Sequence, residues 1–372
     1  MKEGWTYMKL SEICEKGSSN ISLNKIEDNF GDYPLYGASG FVKGVDFYHQ
    51  SEPYIGIVKD GSGVGKVDEY PAKSSLVGTM QYIFPKDGCE LRFLKYLLMG
   101  MHLEKHKSGA AIPHIYFKDY SNTIVPLPKL AEQQQIISEL DLLSEVIEKK
   151  KVQIEELDKL AQSIFYDIFG DPVSNEKGWD MVILKNVTIR FSDGPFGSNL
   201  KSSHYRDEGI RVIRLQNIGV NEFIDLDKAY ITEDHYKELI KFTCYSGDIV
   251  IGTLGSPNLR ACIIPNDIDK CINKADCVLC RVNNEIANAK YICYLLNCES
   301  LVKAACLLSH GETRTRISAG QLRDYNIPLP PLALQQEFAA KVEAIEQMKA
   351  KVRQSLKETE ELFNSRMDYY FN

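Results

Sequence analysis

The 372-residue sequence lacks any apolar run that approaches the roughly 18 to 20 residues of a membrane-spanning helix. Its first residues, Met-Lys-Glu-Gly-Trp, lack the pattern of a secretory signal. An apolar content of 44% and a charged content of 26% are typical of a soluble globular protein. These features argue against a membrane-spanning or secreted protein, and a cytoplasmic location is expected.

A disulfide framework is also missing. The ten cysteines show no dense, regular spacing, although eight of them lie between Cys244 and Cys306, and reduced thiols are therefore predicted. Cys271, Cys277 and Cys280 come closest to a zinc motif. Because residues 277–282 are predicted to form a strand, Cys277 and Cys280 would face opposite sides, and no zinc site is predicted.

Motifs of the common catalytic centres are absent as well. No His-Glu-x-x-His, Gly-x-Ser-x-Gly or Asn-Pro-Pro-Tyr-like run occurs. His102, His106 and His114 lie close together in the sequence, but surface or core positions account for such residues more often than ligand roles do. No catalytic residue is predicted, so the chain is not expected to be an enzyme.

Residues 60–66, Asp-Gly-Ser-Gly-Val-Gly-Lys, are similar to a phosphate-binding loop. Only three residues separate Gly61 from Gly65, one fewer than that loop requires, and Val67 stands where a Ser or Thr must reach the metal. The segment is therefore predicted to be a turn between two strands. Such a turn could still direct Lys59, Ser62 and Lys66 toward a ligand.

The net charge of -7 argues at first against a nucleic-acid partner. The negative charge is concentrated in two stretches: residues 130–169 contain nine acidic and four basic residues, and residues 330–372 contain seven acidic and six basic residues. The rest of the chain is close to neutral, and a neutral domain can still present one basic face. A nucleic-acid partner is therefore compatible with the composition.

The sequence contains an internal repeat that divides the chain into two similar halves. Val125-Pro-Leu-Pro-Lys-Leu-Ala-Glu-Gln-Gln returns 202 residues later as Ile327-Pro-Leu-Pro-Pro-Leu-Ala-Leu-Gln-Gln. The prolines exclude a helix up to Pro128 or Pro330 and fit a first helical turn, and about forty residues without proline or interior glycine follow. Each copy is therefore predicted to begin a long helix.

Apolar residues follow each copy at alternating steps of four and three, the repeat of a coiled coil. Lys150 interrupts the first seam, and Lys349, Thr359 and Arg366 interrupt the second. An isolated helix cannot bury so narrow a stripe, so the other copy is the obvious partner. The residues predicted to pack in the coil or against a partner are Gln133, Gln134, Ile136, Leu140, Leu143, Ile147, Ile154, Leu157, Gln335, Gln336, Phe338, Val342, Ile345, Val352 and Leu356, and the pattern continues through Ala161, Ile164, Ile168, Phe363 and Tyr370.

The segments that precede the two copies are alike at their ends and unlike in their middles. One opens with Gly4-Trp5 and the other with Gly178-Trp179, and these are the only two tryptophans. Strands are predicted at 53–59, 76–84, 210–215, 248–253 and 277–282, and helices at 91–99 and 289–308. We interpret the chain as two mixed α/β domains, 1–128 and 171–329, with long helices at 129–170 and 330–372.

A second candidate contact region begins at Ser192-Asp-Gly-Pro-Phe-Gly-Ser-Asn-Leu-Lys201. This stiff loop exposes backbone amides, and the strand after it carries Arg211 and Arg214 and leads to Gln216 and Asn217. Arginine suits guanine edges and Gln or Asn suits adenine edges, whereas amides, Lys201 and Tyr205 suit phosphate. Each residue alone is more often a solvated surface group, but their density in one segment favours nucleic-acid contact.

The arrangement resembles the DNA-specificity subunits of Type I restriction-modification systems, over essentially the whole chain. Asp193-Gly-Pro-Phe-Gly-Ser-Asn-Leu-Lys201 with Gly247-Asp-Ile-Val-Ile is similar to one form of their target-recognition domain, and Tyr33-Pro-Leu-Tyr-Gly-Ala-Ser-Gly40 with Asp60-Gly-Ser-Gly is similar to another. Together with the residue patterns, the resemblance gives the DNA-binding candidates Tyr36, Ser39, Lys59, Ser62, Lys66, Asp193, Phe196, Ser198, Lys201, Tyr205, Arg211, Arg214, Gln216 and Asn217.

The resemblance implies a non-catalytic subunit that reads a split sequence of double-stranded DNA. One half-site would be read by each domain, and two antiparallel helices would set the distance between them. It also implies two methyltransferase (M) subunits that methylate adenine with S-adenosylmethionine, and two restriction (R) subunits that use ATP and Mg. No cofactor or metal is expected to bind this chain itself.

Two alternatives remain open at the level of sequence. The chain could be the recognition portion of a related methyltransferase or nuclease system whose catalytic half lies on another chain. It could also be a coiled-coil scaffold with two ligand-binding heads and no role on DNA. A salt-dependent DNA-binding assay with a methyltransferase partner separates the scaffold from the specificity subunit.

Overall fold

The computed structural model describes residues 2, 4–109, 113–255, 259–307 and 317–372. The chain divides into two compact units. Unit 1 consists of Met1–Val152 with Val352–Asn372, and unit 2 consists of Gln153–Lys351. Both long helices therefore contribute residues to both units. The finer division into segments 1–128, 129–170, 171–329 and 330–372 stays a prediction.

Unit 1 has a central sheet with strand order β2-β8-β5-β6, a smaller sheet with order β4-β3-β7 and a ladder of β1 with β9. Its strands are β1 (Thr6–Lys9), β2 (Cys14–Ser18), β3 (Tyr33–Gly37), β4 (Gly40–Val45), β5 (Tyr54–Val58), β6 (Val67–Tyr70), β7 (Ser75–Leu76), β8 (Met80–Pro85) and β9 (Ile124–Leu127). Its helices are α1 (Leu10–Ile13), α2 (Leu91–Gly100), α3 (Phe117–Tyr120) and the first part of α4 (Leu130–Phe169).

The central sheet of unit 1 lies between helix α2 and the smaller sheet. Strand β5 is buried throughout, as its run of apolar residues predicts. Ile55 and Ile57 pack on one face with Phe93 of α2. Tyr54 and Val58 pack on the other face with residues of the smaller sheet. The side chains of β5 thus alternate between two core clusters.

The strands and the helix predicted for unit 1 are confirmed with one correction. The strand at 53–59 and the helix at 91–99 are present as β5 and α2. The single strand predicted at 76–84 is wrong, because β7 ends at Leu76 and β8 begins at Met80. A turn closed by a hydrogen bond from Met80 N to Val77 O separates the two strands.

Unit 2 has a central sheet with order β11-β18-β15-β16, a second sheet with order β13-β12-β17-β14 and a ladder of β10 with β19. Its strands are β10 (Met181–Ile183), β11 (Thr188–Ser192), β12 (Ile210–Ile213), β13 (Tyr230–Ile231), β14 (Thr243–Tyr245), β15 (Ile249–Gly252), β16 (Arg260–Ile263), β17 (Lys270–Asn273), β18 (Cys277–Val282) and β19 (Asn326–Pro328). Its helices are α5 (Glu233–Leu239), α6 (Ala289–Leu296), α7 (Glu299–Cys306), α8 (Ala319–Arg323) and parts of α4 and α9 (Leu332–Phe371).

Unit 2 repeats the layers of unit 1 and adds one. Ile249 and Ile251 of β15 pack with Tyr291 of α6, whereas Val250 packs toward the second sheet. The outer face of that second sheet is covered by Tyr236 and Leu239 of α5. This added layer lies within the unlike middle of the sequence, while the sheet-and-helix core is shared.

Two predictions for unit 2 have clear outcomes. The single helix predicted at 289–308 is wrong, because α6 and α7 are separated at Asn297. The side-chain amide of Asn297 accepts a hydrogen bond from Ala261 N and donates one to Ala261 O. The predicted end, Leu308, lies outside the described residues. Cys277 and Cys280 pack into different core clusters, as the strand period predicts.

The matched ends of the two halves form equivalent ladders. Thr6 pairs with Leu127 in unit 1, and Met181 pairs with Pro328 in unit 2, both in antiparallel registers. Each ladder joins the stretch after a tryptophan to the proline string before a long helix. The duplicated sequence is therefore a duplicated structural frame.

The two long helices pack antiparallel within each unit, which confirms the predicted coil. In unit 1, Arg366 Nη2 donates to Glu139 Oε2 at 2.9 Å, and Lys150 Nζ donates to Ser355 O at 2.9 Å. In unit 2, Lys349 pairs with Asp158, and the rings of Phe165 and Phe338 lie 5.5 Å apart. Residue numbers in α9 fall as those in α4 rise.

The charged interruptions of the seam are polar contacts between the helices. Lys150 Nζ also donates to Thr359 Oγ1 at 2.6 Å, so two of the predicted breaks meet each other. Lys349 and Arg366 each meet a carboxylate on the facing helix segment. Burying a lysine or arginine side chain between helices costs less free energy when the charged group meets a polar or acidic partner than when it has none. Such pairs also favour one register of the two helices over others.

The described residues carry none of the features of a membrane span or a metal centre. No helix among them combines the length and apolar character needed to cross a membrane. No group of three or more His, Cys, Asp or Glu side chains within the same residues is arranged to hold a metal ion. None of the ten cysteines, all of which are among these residues, takes part in a disulfide.

Candidate nucleic-acid interface

The predicted turn at residues 60–66 of unit 1 connects β5 to β6. Gly65 N donates to Val58 O and Val58 N donates to Lys66 O, both at 2.9 Å, which closes the hairpin. Gly61 and Gly65 have φ values of 98° and 92°, a region that glycine adopts without strain. Ser62 and Lys66 are exposed at this turn. The interpretation as a turn between strands is confirmed.

The β3–β4 hairpin lies beside this turn. A Cβ built on Gly63 would lie 3.9 Å from the Cβ of Ala38, so the two turns are neighbours. Ser39 is exposed next to Ala38, and the half-buried ring of Tyr36 packs 4.9 Å from that of Tyr70. In unit 1 the turn that carries Ser62 therefore lies beside the turn that carries Ser39.

A cavity of about 270 Å³ opens beside Lys59, and sequence reasoning missed most of its lining. The Lys118 ammonium lies 5.2 Å from the Tyr116 ring, which is half exposed. Lys59 Nζ pairs with Asp60 at 3.2 Å. The residues that line the cavity are Lys16, Ser18, Lys59, Asp60, Gln81, Ile115, Tyr116, Phe117 and Lys118. Three lysines with an exposed aromatic ring suit phosphate and base stacking.

The predicted contact loop of unit 2 follows β11. A Cβ on Gly194 would lie 2.4 Å from Asn273 O, so only glycine lets the loop approach the end of β17 this closely. Asp193 is half buried, whereas Phe196, Ser198 and Lys201 are exposed on the part of the loop that follows. The exposure expected from the sequence is present after Pro195, and the stiffness of the loop stays a prediction.

Arg211 and Arg214 lie beneath the surface of unit 2. Arg211 is on β12 and its Nη2 donates to Asp225 Oδ1 at 3.2 Å. Arg214 follows β12, and its guanidinium lies 5.4 Å from the ring of Tyr205. Both arginines are thus held by neighbouring side chains of the same unit.

Gln216 and Asn217 have different environments. Gln216 is exposed, and its Nε2 donates to Asp227 Oδ2 at 2.7 Å. Asn217 is fully buried; its Oδ1 accepts from Arg214 N at 3.0 Å, and its Nδ2 donates to Leu226 O at 2.8 Å. Asn217 therefore shapes the loop that carries the acids and lies outside the surface that a ligand could touch.

Asp225 and Asp227 are the functional candidates that sequence reasoning missed in unit 2. Hydrogen bonds from Gln216 and Arg214 lower the pKa of Asp227, so this carboxylate is ionised at neutral pH. The available signal was the pattern Asp225-Leu-Asp227, in which two acids alternate shortly after two arginines. Such a pattern places both acids on one side of an extended segment.

The Gln-Gln pairs of the two long helices divide into a buried and an exposed residue. Gln133 Oε1 accepts from Glu90 N at 2.8 Å at the start of α2, and its Nε2 donates to Gly88 O and Pro128 O. Gln335 Oε1 likewise accepts from Asn288 N at 2.8 Å at the start of α6, and its Nε2 donates to Pro330 O. Gln134 and Gln336 are exposed.

The predicted seam is partly or fully buried along both helices. The buried members are Ile136, Leu140, Ile147, Ala161, Phe338, Val342 and Ile345, and the half-buried members are Leu143, Ile154, Leu157, Val352 and Leu356. Near the end of α4 the most buried residues are Phe165 and Phe169 rather than Ile164 and Ile168. Their rings pack against Tyr291 of α6, which a helix-only pattern cannot anticipate.

A family model described as the Type I restriction modification DNA specificity domain matches residues 2–159 and 197–359. One match lies in each half of the duplicated sequence, and together they cover most of the chain. The chain belongs to this family. As a specificity subunit of the Type I kind it is non-catalytic, in agreement with the sequence prediction.

Other specificity subunits resemble the chain in sequence. The MjaVIII specificity subunit of Methanocaldococcus jannaschii is 27% identical over 319 residues, which cover 80% of this chain and 73% of that one. The MjaIX specificity subunit of the same organism is 25% identical over 289 residues, which cover 71% of this chain and 64% of that one. Both relatives are specificity subunits of Type I restriction enzymes.

Solved structures share the fold of this specificity subunit. The Type I S subunit from M. genitalium superposes with a TM-score of 0.57 at 16% identity, over 99% of this chain and 96% of that one. A chain from a structural study of complex assembly in the type I R-M system superposes with a TM-score of 0.56 at 17% identity, over 99% of this chain and 97% of that one. The predicted fold class, mixed α/β domains with long paired helices, is confirmed.

Proposed function

We propose that this specificity subunit reads a bipartite target in double-stranded DNA, with one half-site contacted by the globular part of each unit. The spacing of the half-sites is set by the long helices. The subunit recruits two M subunits, which methylate adenine with S-adenosylmethionine, and two R subunits, which use ATP and Mg. It acts in the cytoplasm and binds none of these cofactors itself.

The observation that carries the proposal is the duplicated frame with unlike interiors. Both units join a sheet-and-helix core to a long helix through a ladder and a buried glutamine. The connecting strands and loops between the ends of the frame differ, and unit 2 carries the additional helix α5. Two equivalent frames with different reading loops suit two different half-sites.

In unit 1, the proposed DNA surface consists of the β3–β4 turn, the turn at 60–66 and the cavity lined by Lys16, Lys59 and Lys118. Lysines at the rim supply the sequence-independent phosphate term, because each neutralised phosphate releases counterions. The exposed aromatic rings of Phe41 and Tyr116 can contact bases or sugars. Ser39, Ser62 and Lys66 surround this surface.

In unit 2, the proposed DNA surface consists of the loop with Phe196, Ser198 and Lys201 and the neighbouring side chains of Gln216, Asp225 and Asp227. The two long helices carry most of the excess negative charge of the chain. Acidic helices repel phosphate, so DNA contact is confined to the globular surfaces and the helices serve as contacts for protein partners.

The decisive experiment co-expresses the chain with its methyltransferase partner and maps methylated adenines in DNA exposed to the complex. We expect one bipartite motif with two unlike half-sites and a fixed gap. The logarithm of the binding constant for that motif should fall linearly with the logarithm of the salt concentration, with a slope of about -0.9 for each phosphate contacted. The partner without this chain is the control and should show no such motif. Methylation at a contiguous motif, or binding that ignores salt, would overturn the proposal.

A further inference from the structure

The segment of residues 219–229, between β12 and β13, forms a strap over the arginines of unit 2, anchored by hydrogen bonds. Ile224 N donates to Asn217 O at 2.9 Å, and Asn217 Nδ2 donates back to Ile224 O at 3.0 Å. Asn221 N donates to Ala261 O at 2.9 Å, which ties the strap to the central sheet. The strap holds Asp225 and Asp227 in fixed positions.

In a simple basic DNA surface the arginines are exposed, whereas here the arginines are mostly buried and their aspartate partners are exposed. The side chains of Arg211 and Arg214 are 6% and 14% exposed, whereas those of their partners Asp225 and Asp227 are 47% and 64% exposed. Within the described residues, nothing accepts a hydrogen bond from Arg211 Nε and Nη1 or from Arg214 Nε, and these atoms are buried. The guanidiniums therefore cannot reach DNA while the strap is in place, and the carboxylates can.

Asp227 is the better candidate of the two carboxylates, because neighbouring side chains hold both of its oxygens and its backbone carbonyl. Arg214 Nη2 lies 3.1 Å from its Oδ1, Gln216 Nε2 donates to its Oδ2 at 2.7 Å, and Arg214 also donates to its backbone carbonyl. The backbone of Asp227 has a φ of 48°, a left-handed conformation that aspartate tolerates and that these contacts hold. A side chain fixed at both oxygens and still exposed is preorganised for a ligand.

The chemistry of an ionised carboxylate selects the ligand. It only accepts hydrogen bonds, and it repels phosphate. In the major groove, cytosine itself presents only an N4 amino donor, whereas adenine carries its own N7 acceptor beside the N6 donor. Guanine and thymine present the acceptors O6, N7 and O4 at that edge. Cytosine is the base that fits a carboxylate.

We propose that Asp227 is a specificity-determining residue that accepts a hydrogen bond from a cytosine N4 amino group in the half-site read by unit 2, with Arg214 and Gln216 as positioning residues. This inference rests on the proposed DNA-reading function. It reverses the role expected from the sequence, in which Arg214 itself reads a base edge. The arginine instead orients the acid that reads.

The test measures binding of the assembled complex to duplexes that carry its own methylated motif. For each C·G pair of the second half-site, the cytosine is replaced by a pyrimidinone analogue that lacks the amino group, or the guanine is replaced by 7-deazaguanine. At one pair, loss of the amino group should weaken binding roughly 10- to 100-fold, the range of a good base-edge contact, while 7-deazaguanine has no effect. The opposite pattern would identify a guanidinium as the reader and overturn the proposal.

The protein arm uses Asp227→Asn. We expect this substitution to weaken binding as much as the pyrimidinone analogue does, and the two changes combined to weaken it no further. The preferred base at that pair should change from cytosine toward adenine, which an amide can bind. Arg214→Lys should weaken discrimination at the same base only. Asp234→Asn is the matched control, because Asp234 is an exposed acid of unit 2 that pairs with Lys237 on the same helix, α5.

Two failures are distinguishable. If the wild-type complex shows no sequence-specific binding, the proposed function itself fails. If the wild type binds specifically and the second half-site has no C·G pair, or Asp227→Asn keeps the full preference, only this inference fails. The analogue arm uses the unaltered protein, so misfolding of a variant leaves that result intact.

Discussion

Replacing Gln133 with alanine tests whether the first glutamine of each Gln-Gln pair fastens a long helix to its domain. The substitution removes three hydrogen bonds and leaves Glu90 N, Gly88 O and Pro128 O without that partner. At about 1 kcal/mol for each bond, the free energy of unfolding of unit 1 should fall by about 3 kcal/mol. Gln335→Ala removes two such bonds, so unit 2 should lose about 2 kcal/mol.

The two tryptophans allow each unit to be followed separately. Trp5 Nε1 donates to Glu132 Oε1 in unit 1, and Trp179 Nε1 donates to Phe169 O in unit 2. Urea unfolding is therefore followed by fluorescence in a Trp179→Phe background for Gln133→Ala and in a Trp5→Phe background for Gln335→Ala. Each substitution should shift the transition of its own unit.

The exposed second glutamines provide the matched controls. Gln134→Ala and Gln336→Ala change the same residue type one position away and should shift the midpoint little, because these side chains face solvent. If Gln134→Ala destabilised unit 1 as much as Gln133→Ala, the effect would arise from helix composition and the reasoning from buried hydrogen bonds would be refuted.

Three further predictions concern the domains and helices. Exchanging residues 1–128 for another recognition domain should change one half of the methylated motif, and a change in both halves would contradict independent reading. Inserting four residues near Lys150 adds about 6 Å of helix and should lengthen the gap between half-sites, whereas an unchanged gap in the methylome would refute the role of the helices as a spacer. The hydrogen bond from Arg366 lowers the pKa of Glu139, so this pair stabilises the fold above the unfolded pKa of Glu139 and is lost as pH falls through the folded value. Glu139→Gln should therefore reduce the dependence of stability on pH below neutrality, as measured by thermal unfolding, and an unaltered pH profile would contradict this.

The repeat and its period predicted the fold well because they report backbone requirements. The prolines before Leu130 and Leu332 and the four-three spacing after them do not depend on contacts that are distant in the sequence. The break at Asn297 could not be predicted, since it depends on two hydrogen bonds with Ala261 of β16, which is distant in the sequence. Ala261 N donates to Asn297 Oδ1, and Asn297 Nδ2 donates to Ala261 O. Local pattern specifies the elements, and distant polar contacts decide where some of them stop.

The candidate interface was less accessible to sequence reasoning than the fold. Residue type indicated Arg211, Arg214 and Asn217 as groups that could read bases, but type does not reveal burial. The structure places Asn217 inside a loop and both arginines beneath carboxylates. Lys16 and Lys118 are far apart in the sequence and share one cavity only because β2 and α3 are neighbours in unit 1. Convergence of this kind is a property of the tertiary structure.

The composition of unit 1 from Met1–Val152 and Val352–Asn372 has a consequence for synthesis on the ribosome. Unit 2 is continuous in the chain and can fold as soon as Lys351 has emerged, whereas unit 1 must wait for the last helical segment to be translated. Until then, the apolar surface of α2 on which Phe363 and Phe371 pack is exposed in the nascent chain and open to chaperones or to another copy. Slow translation of residues 352–372 would prolong that exposure, and faster translation would shorten it.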